Sequence, residues 1–483
     1  MQFLTIQRLL GILLGLFSLS MLPPLLVSLY FDDGSSQAFL SAFGFLLLIG
    51  WLFWFPVRHH RKELKVRDGF LVVVMFWVTL GLSGAVPFFL TTVPVMSFTD
   101  AVFESISGLT TTGATVLTGL DTLPKGVLFY RQFLQWLGGM GIVVLAVAIL
   151  PLLGVGGMQL YRAETPGPMK DAKLTPRITE TAKALWYIYL ALTVGCAIAF
   201  YLAGMNWFDA ISHSFSTVAI GGFSTHDASI GYFNSATIEM VAVGFMLLAG
   251  MNFSLHFLAW RHRTVKHYWL DSELKTYLFM LAVISMITIV YLYFTRTVTD
   301  GWTAFHQGLF QAVSIGTTTG YTTADYYLWP SFLPILLLMA SYIGGCAGSV
   351  GGGMKVVRVM LLFKQGYREV LRLIHPNAIF AIKANNKALL PKVIGAVWGF
   401  LALYLFCFSI MHLLLMMTGL DVVTSFSAVT ACLNNLGPGL GEVGSHYGDI
   451  NATSKWVLCL AMLLGRLEIF TLLVVLTPAF WRR

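Results

Sequence analysis

Ten stretches of this chain are apolar over the length of a membrane span, and four times a short amphipathic segment ending in a polar, glycine-bearing turn falls between two of them. The turns are Thr110-Thr111-Thr112-Gly113, Ala219-Ile220-Gly221-Gly222, Thr317-Thr318-Thr319-Gly320 and Asn434-Asn435-Leu436-Gly437. A helix needs about 20 apolar residues to cross a bilayer. The short segments fall well below that, so re-entrant helices are the natural assignment. Backbone polar groups find no water at bilayer depth, so such turns must be buried in protein or line a wet cavity. Four of them around one axis, carbonyls inward, would make a cation filter. A pore is the leading reading.

The spans are expected at 9–30, 38–57, 69–90, 126–156, 184–206, 235–260, 276–295, 330–363, 393–418 and 455–481. With 57% hydrophobic and only 11% charged residues, and a mean hydropathy of +0.77, an ordinary soluble fold is excluded, since soluble chains run near 25% charged. Cys196, Cys346, Cys407, Cys432 and Cys459 stand singly in apolar segments. They offer neither a disulfide framework nor zinc-ligand spacing. Pro23-Pro24 and Asp32-Asp33 follow the first helix where a cleavage site would need small residues, so that helix reads as a retained span.

The formal charge of +8 is unevenly placed. Arg58, Arg61, Lys62, Lys65 and Arg67 follow the second span; Arg162, Lys170, Lys173 and Arg177 the fourth; Arg261, Arg263 and Lys266 the sixth. Lys364, Arg368, Arg372, Lys383 and Lys387 follow the eighth, and Arg482-Arg483 end the chain. If spans alternate, all these lie on one side, which is then cytoplasmic. Both termini lie there too, and the re-entrant segments enter from outside, where Asp32, Asp33, Asp121, Asp227, Asp325, Glu442 and Asp449 fall. The basic loops serve topology first and also attract inner-leaflet lipid; the 364–392 link is long enough to dock something larger.

Anchored on the last glycine, the four segments align without gaps as DAVFESISGLTTTG (100–113), DAISHSFSTVAIGG (209–222), QGLFQAVSIGTTTG (307–320) and TSFSAVTACLNNLG (424–437). One unit therefore occurs four times. A short helix ending near the membrane centre aims the negative end of its macrodipole there, and glycine permits the positive φ that turns carbonyls toward an axis. The turns hold no carboxylate, which disfavours a rigid divalent site. A plain helix C-cap explains one such turn; four in register favour a pore. Asp100 and Asp209 are expected as N-caps, and Glu104 and His213 as hydrogen-bonding groups behind the turns.

In the eighth span, Gly344, Gly345, Gly348, Gly351, Gly352 and Gly353 crowd one segment, too many for a helix. A nucleotide-binding P-loop is excluded because Met354 separates Gly353 from Lys355 and no strand precedes. Close helix packing is one reading; an intramembrane loop obstructing the pore is preferred. Arg466 lies inside the tenth span, where a charge needs a partner; Glu468, two residues on, does not share its helix face. Arg131, near the end of its span, is expected to snorkel, with no part in the pore. No nucleophile–base pair or HExxH motif points to an enzyme, and nothing points to nucleic acid.

SGLTTTGAT (107–115), FSTVAIGGFSTHD (215–227), TTTGYTT (317–323), LNNLGPGLGEVG (433–444), GGCAGSVGGGMK (344–355) and GRLEIF (465–470) together resemble the Trk/Ktr/HKT superfamily of potassium transporters across the whole chain. The resemblance implies an all-α integral membrane protein: four M1–pore helix–M2 repeats around a pseudo-fourfold pore plus two extra N-terminal transmembrane helices. The units would be 1–66, then pore repeats 67–180, 181–272, 273–388 (with the gate loop) and 389–483. It implies K+ at a filter of Thr111, Thr112, Gly113, Ile220, Gly221, Gly222, Thr318, Thr319, Gly320, Asn435, Leu436 and Gly437. The glycine loop would gate, and Arg466 would place a positive charge near the inner end of the filter. Only Thr319-Gly320-Tyr321 looks like the tetrameric-channel signature, so weaker selectivity is expected. A bacterial inner-membrane homodimer with one pore per subunit is implied, with a cytoplasmic NAD- and nucleotide-binding regulatory subunit of the TrkA type. No cofactor is expected in the chain itself. The rival reading is a K+ symporter coupled to H+ or Na+.

Overall fold

The structure, a computed structural model, describes every residue except 61, 63, 140, 142–177, 386 and 483. The second half of the fourth expected span, with Arg61, Arg162, Lys170, Lys173, Arg177 and Arg483, lies outside the described residues.

The chain opens with α1 (Phe3–Ser18), which runs through one 3-10 turn into α2 (Leu22–Phe31), followed by α3 (Ser36–Trp54). Pro23 and Pro24 fall in the first turn of α2, where their missing amides break no helical bond. A Cβ on Gly11 would stand 2.8 Å from the carbonyl of Gly50, so α1 and α3 approach through small residues, as membrane helices do.

Four helix–short helix–helix units follow. The first is α4 (Val66–Leu90), α5 (Phe98–Leu109) and α6 (Lys125–Gly139); the second is α7 (Ile178–Leu202), α8 (Trp207–Val218), α9 (Ala236–Gly250) and α10 (Phe253–His262). After a short α11 (Lys266–Leu270), the third is α12 (Ser272–Phe294), α13 (Gly301–Gly316), α14 (Phe332–Ser341) and α15 (Val356–Ile374). A two-stranded antiparallel hairpin, β1 (Lys383–Ala384) and β2 (Lys387–Ala388), leads to the fourth. That unit is α16 (Pro391–Met417), α17 (Val422–Leu433), α18 (Ala452–Arg466) and α19 (Phe470–Leu476), and α20 (Pro478–Trp481) follows it.

The short helices α5, α8 and α17 have 12 residues each and α13 has 16. At 1.5 Å per residue they reach about 18–24 Å, short of a bilayer. They form the interior: Ala101 through Leu109 of α5 are all buried. The long helices surround them and turn apolar side chains outward, Phe279, Met286 and Phe294 of α12 being 70%, 68% and 77% exposed. Apolar surface of that extent on an outer ring fits a lipid environment.

Besides the glycine-rich eighth span, which breaks at residues 342–355, two expected spans are not continuous among the described residues. The sixth bends by 91° between α9 and α10, and the tenth by 116° between α18 and α19. At the first break Asn252 caps α10 through Ser254 N, and the flanking backbone bonds to another segment: Cys346 N to Gly250 O at 2.9 Å and Phe253 N to Gly348 O at 3.1 Å. At the second, Glu468 and Ile469 adopt φ of 52° and 59°, which no helix continues.

Candidate ion pathway

Each short helix ends in the same way. The amide three residues past its last helical residue reaches back five positions: Thr112 N to Ser107 O, Gly221 N to Ser216 O, Thr319 N to Ser314 O and Leu436 N to Ala431 O, at 2.7–2.9 Å. This is the C-terminal closure that requires a left-handed residue. Here that residue is not glycine. Thr111, Ile220, Thr318 and Asn435 have φ of 53°, 54°, 68° and 53°, and β-branched residues adopt that region only under constraint. Two positions on, Gly113, Gly222, Gly320 and Gly437 are left-handed again, with φ of 77–99°. Positive φ is expected from sequence at the glycines; the first member of each pair carries no such signal.

The structure brings the four turns together. A Cβ on Gly113 would lie 2.1 Å from Gly221 O, one on Gly222 2.0 Å from Thr319 O, one on Gly320 2.1 Å from Leu436 O and one on Gly437 2.6 Å from Thr112 O. The order is circular, first to second to third to fourth to first. Only glycine fits at four such approaches. Side chains stitch the ring: Asn435 Nδ2 donates to Thr112 Oγ1 at 2.9 Å and to Met462 O at 3.0 Å, and Gln135 Nε2 donates to Gly221 O at 2.6 Å. The threonine hydroxyls pair with one another, Thr110 with Thr112 and Thr317 with Thr319, each at 2.7 Å.

The helix starts correct one expectation. Ser97 and Asn206, not Asp100 and Asp209, are the N-caps of α5 and α8. Asp100 and Asp209 sit three residues in; their amides donate to the cap side chains at 3.1 and 2.9 Å, and their carboxylates accept from those side chains at 2.7 and 2.6 Å.

Behind the ring, Glu104 and His213 hydrogen-bond as expected. Glu104 accepts from Thr115 Oγ1 and Val116 N; His213 Nε2 meets Ser224 Oγ at 2.9 Å. Arg131 overturns the expectation that it snorkels. It is 1% exposed and donates Nε to Glu104 at 2.7 Å, Nη1 to Ser224 O at 3.0 Å and Nη2 to Thr115 Oγ1 at 3.0 Å. One guanidinium thus ties the segment after the first turn to that after the second. Outside them His226 joins two carboxylates, Asp121 through Nδ1 and Asp209 through Nε2.

Residues 342–355 between α14 and α15 contain the six glycines and are not helical. This loop lies against the helix side of the ring. Gly352 N donates to Thr318 Oγ1 at 2.7 Å and Gly353 N to Asn434 O at 3.0 Å; a Cβ on Gly352 would meet Asn434 O at 2.0 Å. Arg466 joins loop and ring. Its Nη1 donates to Val350 O at 3.2 Å and Thr111 Oγ1 at 3.4 Å, and its Nη2 to the carbonyls of Gly138 and Gly139. As sequence spacing required, Glu468 pairs elsewhere, with Arg358.

Two further residues at the loop were not singled out from sequence. Lys355 is buried at φ 78° and bonds Gly351 O, a second cation beside Arg466. Glu273 Oε1 accepts from Ala347 N at 2.6 Å and Val357 N at 3.2 Å, fastening the loop and the first turn of α15 to α12. Its position at a helix start, beside Asp271 and Ser272, reads from sequence as an ordinary solvated first turn.

A nearly all-helical membrane protein that joins four re-entrant helix ends in one buried ring, with a glycine loop packed against it, is the class that fold and site define. The chain belongs to the TrkH family of cation transport proteins, which it matches over residues 35–482. It is 58% identical over 484 residues to the Trk system potassium uptake protein TrkH of Vibrio parahaemolyticus, with all of both chains covered. Against that of Escherichia coli K12 the identity is 54% over 482 residues, again with full coverage. Against the Trk system potassium uptake protein TrkG of the same strain it is 41% over 472 residues, 98% of this chain and 97% of the relative. The crystal structure of the potassium transporter TrkH from Vibrio parahaemolyticus matches with a TM-score of 0.91 at 56% identity, covering both chains completely.

Proposed function

We propose that this chain takes up potassium through a gated, channel-like filter formed by the four turns. The observation that carries the reading is the circular glycine-to-carbonyl packing of Gly113, Gly222, Gly320 and Gly437, which gathers buried backbone dipoles of four helix ends in one place. The names of its relatives, potassium uptake proteins, agree with it. Thr111 to Gly113, Ile220 to Gly222, Thr318 to Gly320 and Asn435 to Gly437 hold the ion. The loop Gly344–Gly353 obstructs flow, and Arg466, bonded to both loop and ring, sets a positive charge at the inner end.

The protein works in the bacterial inner membrane with both termini cytoplasmic, as a homodimer with one pore per subunit. A cytoplasmic NAD- and nucleotide-binding subunit of the TrkA type acts on the loop. An inside-negative potential supplies about 2.3 kcal/mol per 100 mV for each cation, so uptake runs downhill without an ATP site or other cofactor in this chain.

Coupled symport with H+ or Na+ would need a titratable group in the path. The four turns contain none, and Glu104 and His213 are engaged behind them. Flux of K+ into liposomes holding purified protein, measured across pH and Na+ concentration, tests the point. Flux that follows the K+ gradient and voltage alone is expected. A fixed H+ or Na+ stoichiometry would replace the channel reading by symport.

A further inference from the structure

On the face that carries the basic loops, a cavity of about 640 Å3 opens between α10–α11, the start of α12, α15 and the β1–β2 hairpin. Lys275, Lys364, Lys383 and His267 line it, against one carboxylate, Asp271. That carboxylate is already engaged: Oδ1 accepts Leu274 N at 2.8 Å and Oδ2 accepts Asn385 Nδ2 at 3.0 Å. Among the described residues no carboxylate lies within 4.0 Å of any of the three lysines. Lys364 Nζ donates to Lys383 O at 2.8 Å, which brings α15 and the hairpin together at the cavity rim. Three ammonium groups facing one space larger than a halide needs suit a polyvalent oxyanion, which lysine binds as a point charge.

We propose that this cavity binds a phosphate-bearing anion whose occupancy holds the glycine loop in its obstructing position. The connection is made by residues inside the same elements. Glu273, between Ser272 and Lys275, accepts from Ala347 N in the loop and from Val357 N in the first turn of α15. The loop continues into α15, which carries Lys364. Phe253, at the start of α10, donates to Gly348 O at 3.1 Å. An anion drawing Lys275 of α12 toward Lys364 of α15 therefore clamps the two helices that Glu273 and the loop join, and bound anion lowers flux. A phospholipid headgroup and a soluble phosphate share this chemistry. Trp269, adjacent in sequence to the cavity wall, is 73% exposed, as at a bilayer interface.

The effect on flux rests on the gate reading of Gly344–Gly353; binding does not. The test compares wild type, a Lys275→Gln/Lys364→Gln variant and an Arg261→Gln/Lys266→Gln control, the last altering exposed charges outside the cavity. Potassium flux is measured in phosphatidylcholine liposomes, in liposomes containing phosphatidylglycerol, and in phosphatidylcholine with inorganic pyrophosphate at matched ionic strength. Thermal melting is followed in detergent with each probe. Wild type and control should melt several degrees higher with at least one probe and lose flux several-fold with it, while the cavity variant responds to neither and keeps its basal flux. A response to phosphatidylglycerol alone assigns a lipid, and one to pyrophosphate alone a soluble phosphate. No melting shift in wild type, or an equal loss of response in the control, overturns the site. A melting shift confined to proteins with the lysines but without any flux change overturns the link to the loop.

Discussion

At Gly113 a single missing atom carries a consequence for selection. Its φ of 83° and the 2.1 Å approach a Cβ would make to Gly221 O mean that any side chain must push the first turn away from the second. Gly113→Ser should therefore lower discrimination of K+ over Na+, read as a shift in reversal potential in paired ion gradients. Unchanged selectivity would remove this turn from the filter. The glycines were legible because four identical offsets are a pattern in the sequence itself. The partner residues Thr111, Ile220, Thr318 and Asn435 were not: nothing in threonine or isoleucine announces φ near 53–68°, which tertiary packing imposes against their own preference. Arg131 failed for a related reason. Its position near a helix end suggested an escape to water, but it is closed in by Glu104 and stands 4.2 Å above the ring of Phe223. The signal available was the buried-face carboxylate at Glu104, which needed a cation nearby.

At the scale of elements, named hydrogen bonds tie the glycine loop to the ring of turns. Gly352 and Gly353 hold the loop to the third and fourth turns, Arg466 to the first, and Glu273 to α12. Deleting part of Gly348–Gly353 should raise basal K+ flux several-fold in liposomes; a silent deletion would take the gating role away from this loop. The glycine content made the loop visible in sequence, but its neighbours broke too. Met251–Asn252 and Leu467–Ile469 bend two apolar helices without proline or glycine clusters at the break, because Cys346, Gly348 and Arg358 compete for their polar groups. Such breaks depend on residues about a hundred positions away and have no local signature. On the outer side, burial alone would lower the pKa of His226, but hydrogen bonds to Asp209 and Asp121 outweigh it and raise the value. With both ring nitrogens facing carboxylates, the protonated form joins the 3-10 turn at Asp121 to α8. This contribution is complete below the ordinary histidine value of about 6.5 and is lost as pH rises through the raised one. Melting temperature should therefore fall across that interval, and His226→Gln should flatten the fall. A His226→Gln profile that keeps the full slope would assign it to other groups.

For the whole molecule, the demand is that a linear chain of four unequal units close into a ring, so its first and last units must find each other. The contacts along that seam include Gly437 against Thr112 O, Asn435 Nδ2 to Thr112 Oγ1 across 323 residues, Tyr447 N to Thr115 O at 2.7 Å and Lys455 Nζ to Asp100 at 2.6 Å. The fourth turn departs most from the others in sequence, and its asparagines explain why. Asn434 is spent on Tyr404 and Ser341, and Asn435 on the seam. The repeat was legible from glycine spacing, but the reason for its unequal fourth member lies only in the closure. Asn435→Gly separates the two roles of this residue. Glycine keeps the φ of 53° at no steric cost, while the donor to Thr112 and Met462 disappears. Losing those two buried hydrogen bonds should cost about 1–3 kcal/mol, seen as a lower melting temperature. With the first and fourth turns no longer held, K+ over Na+ discrimination should drop together with stability. If stability falls and selectivity does not, the seam is structural only and the ion is chosen by the other three contacts of the ring.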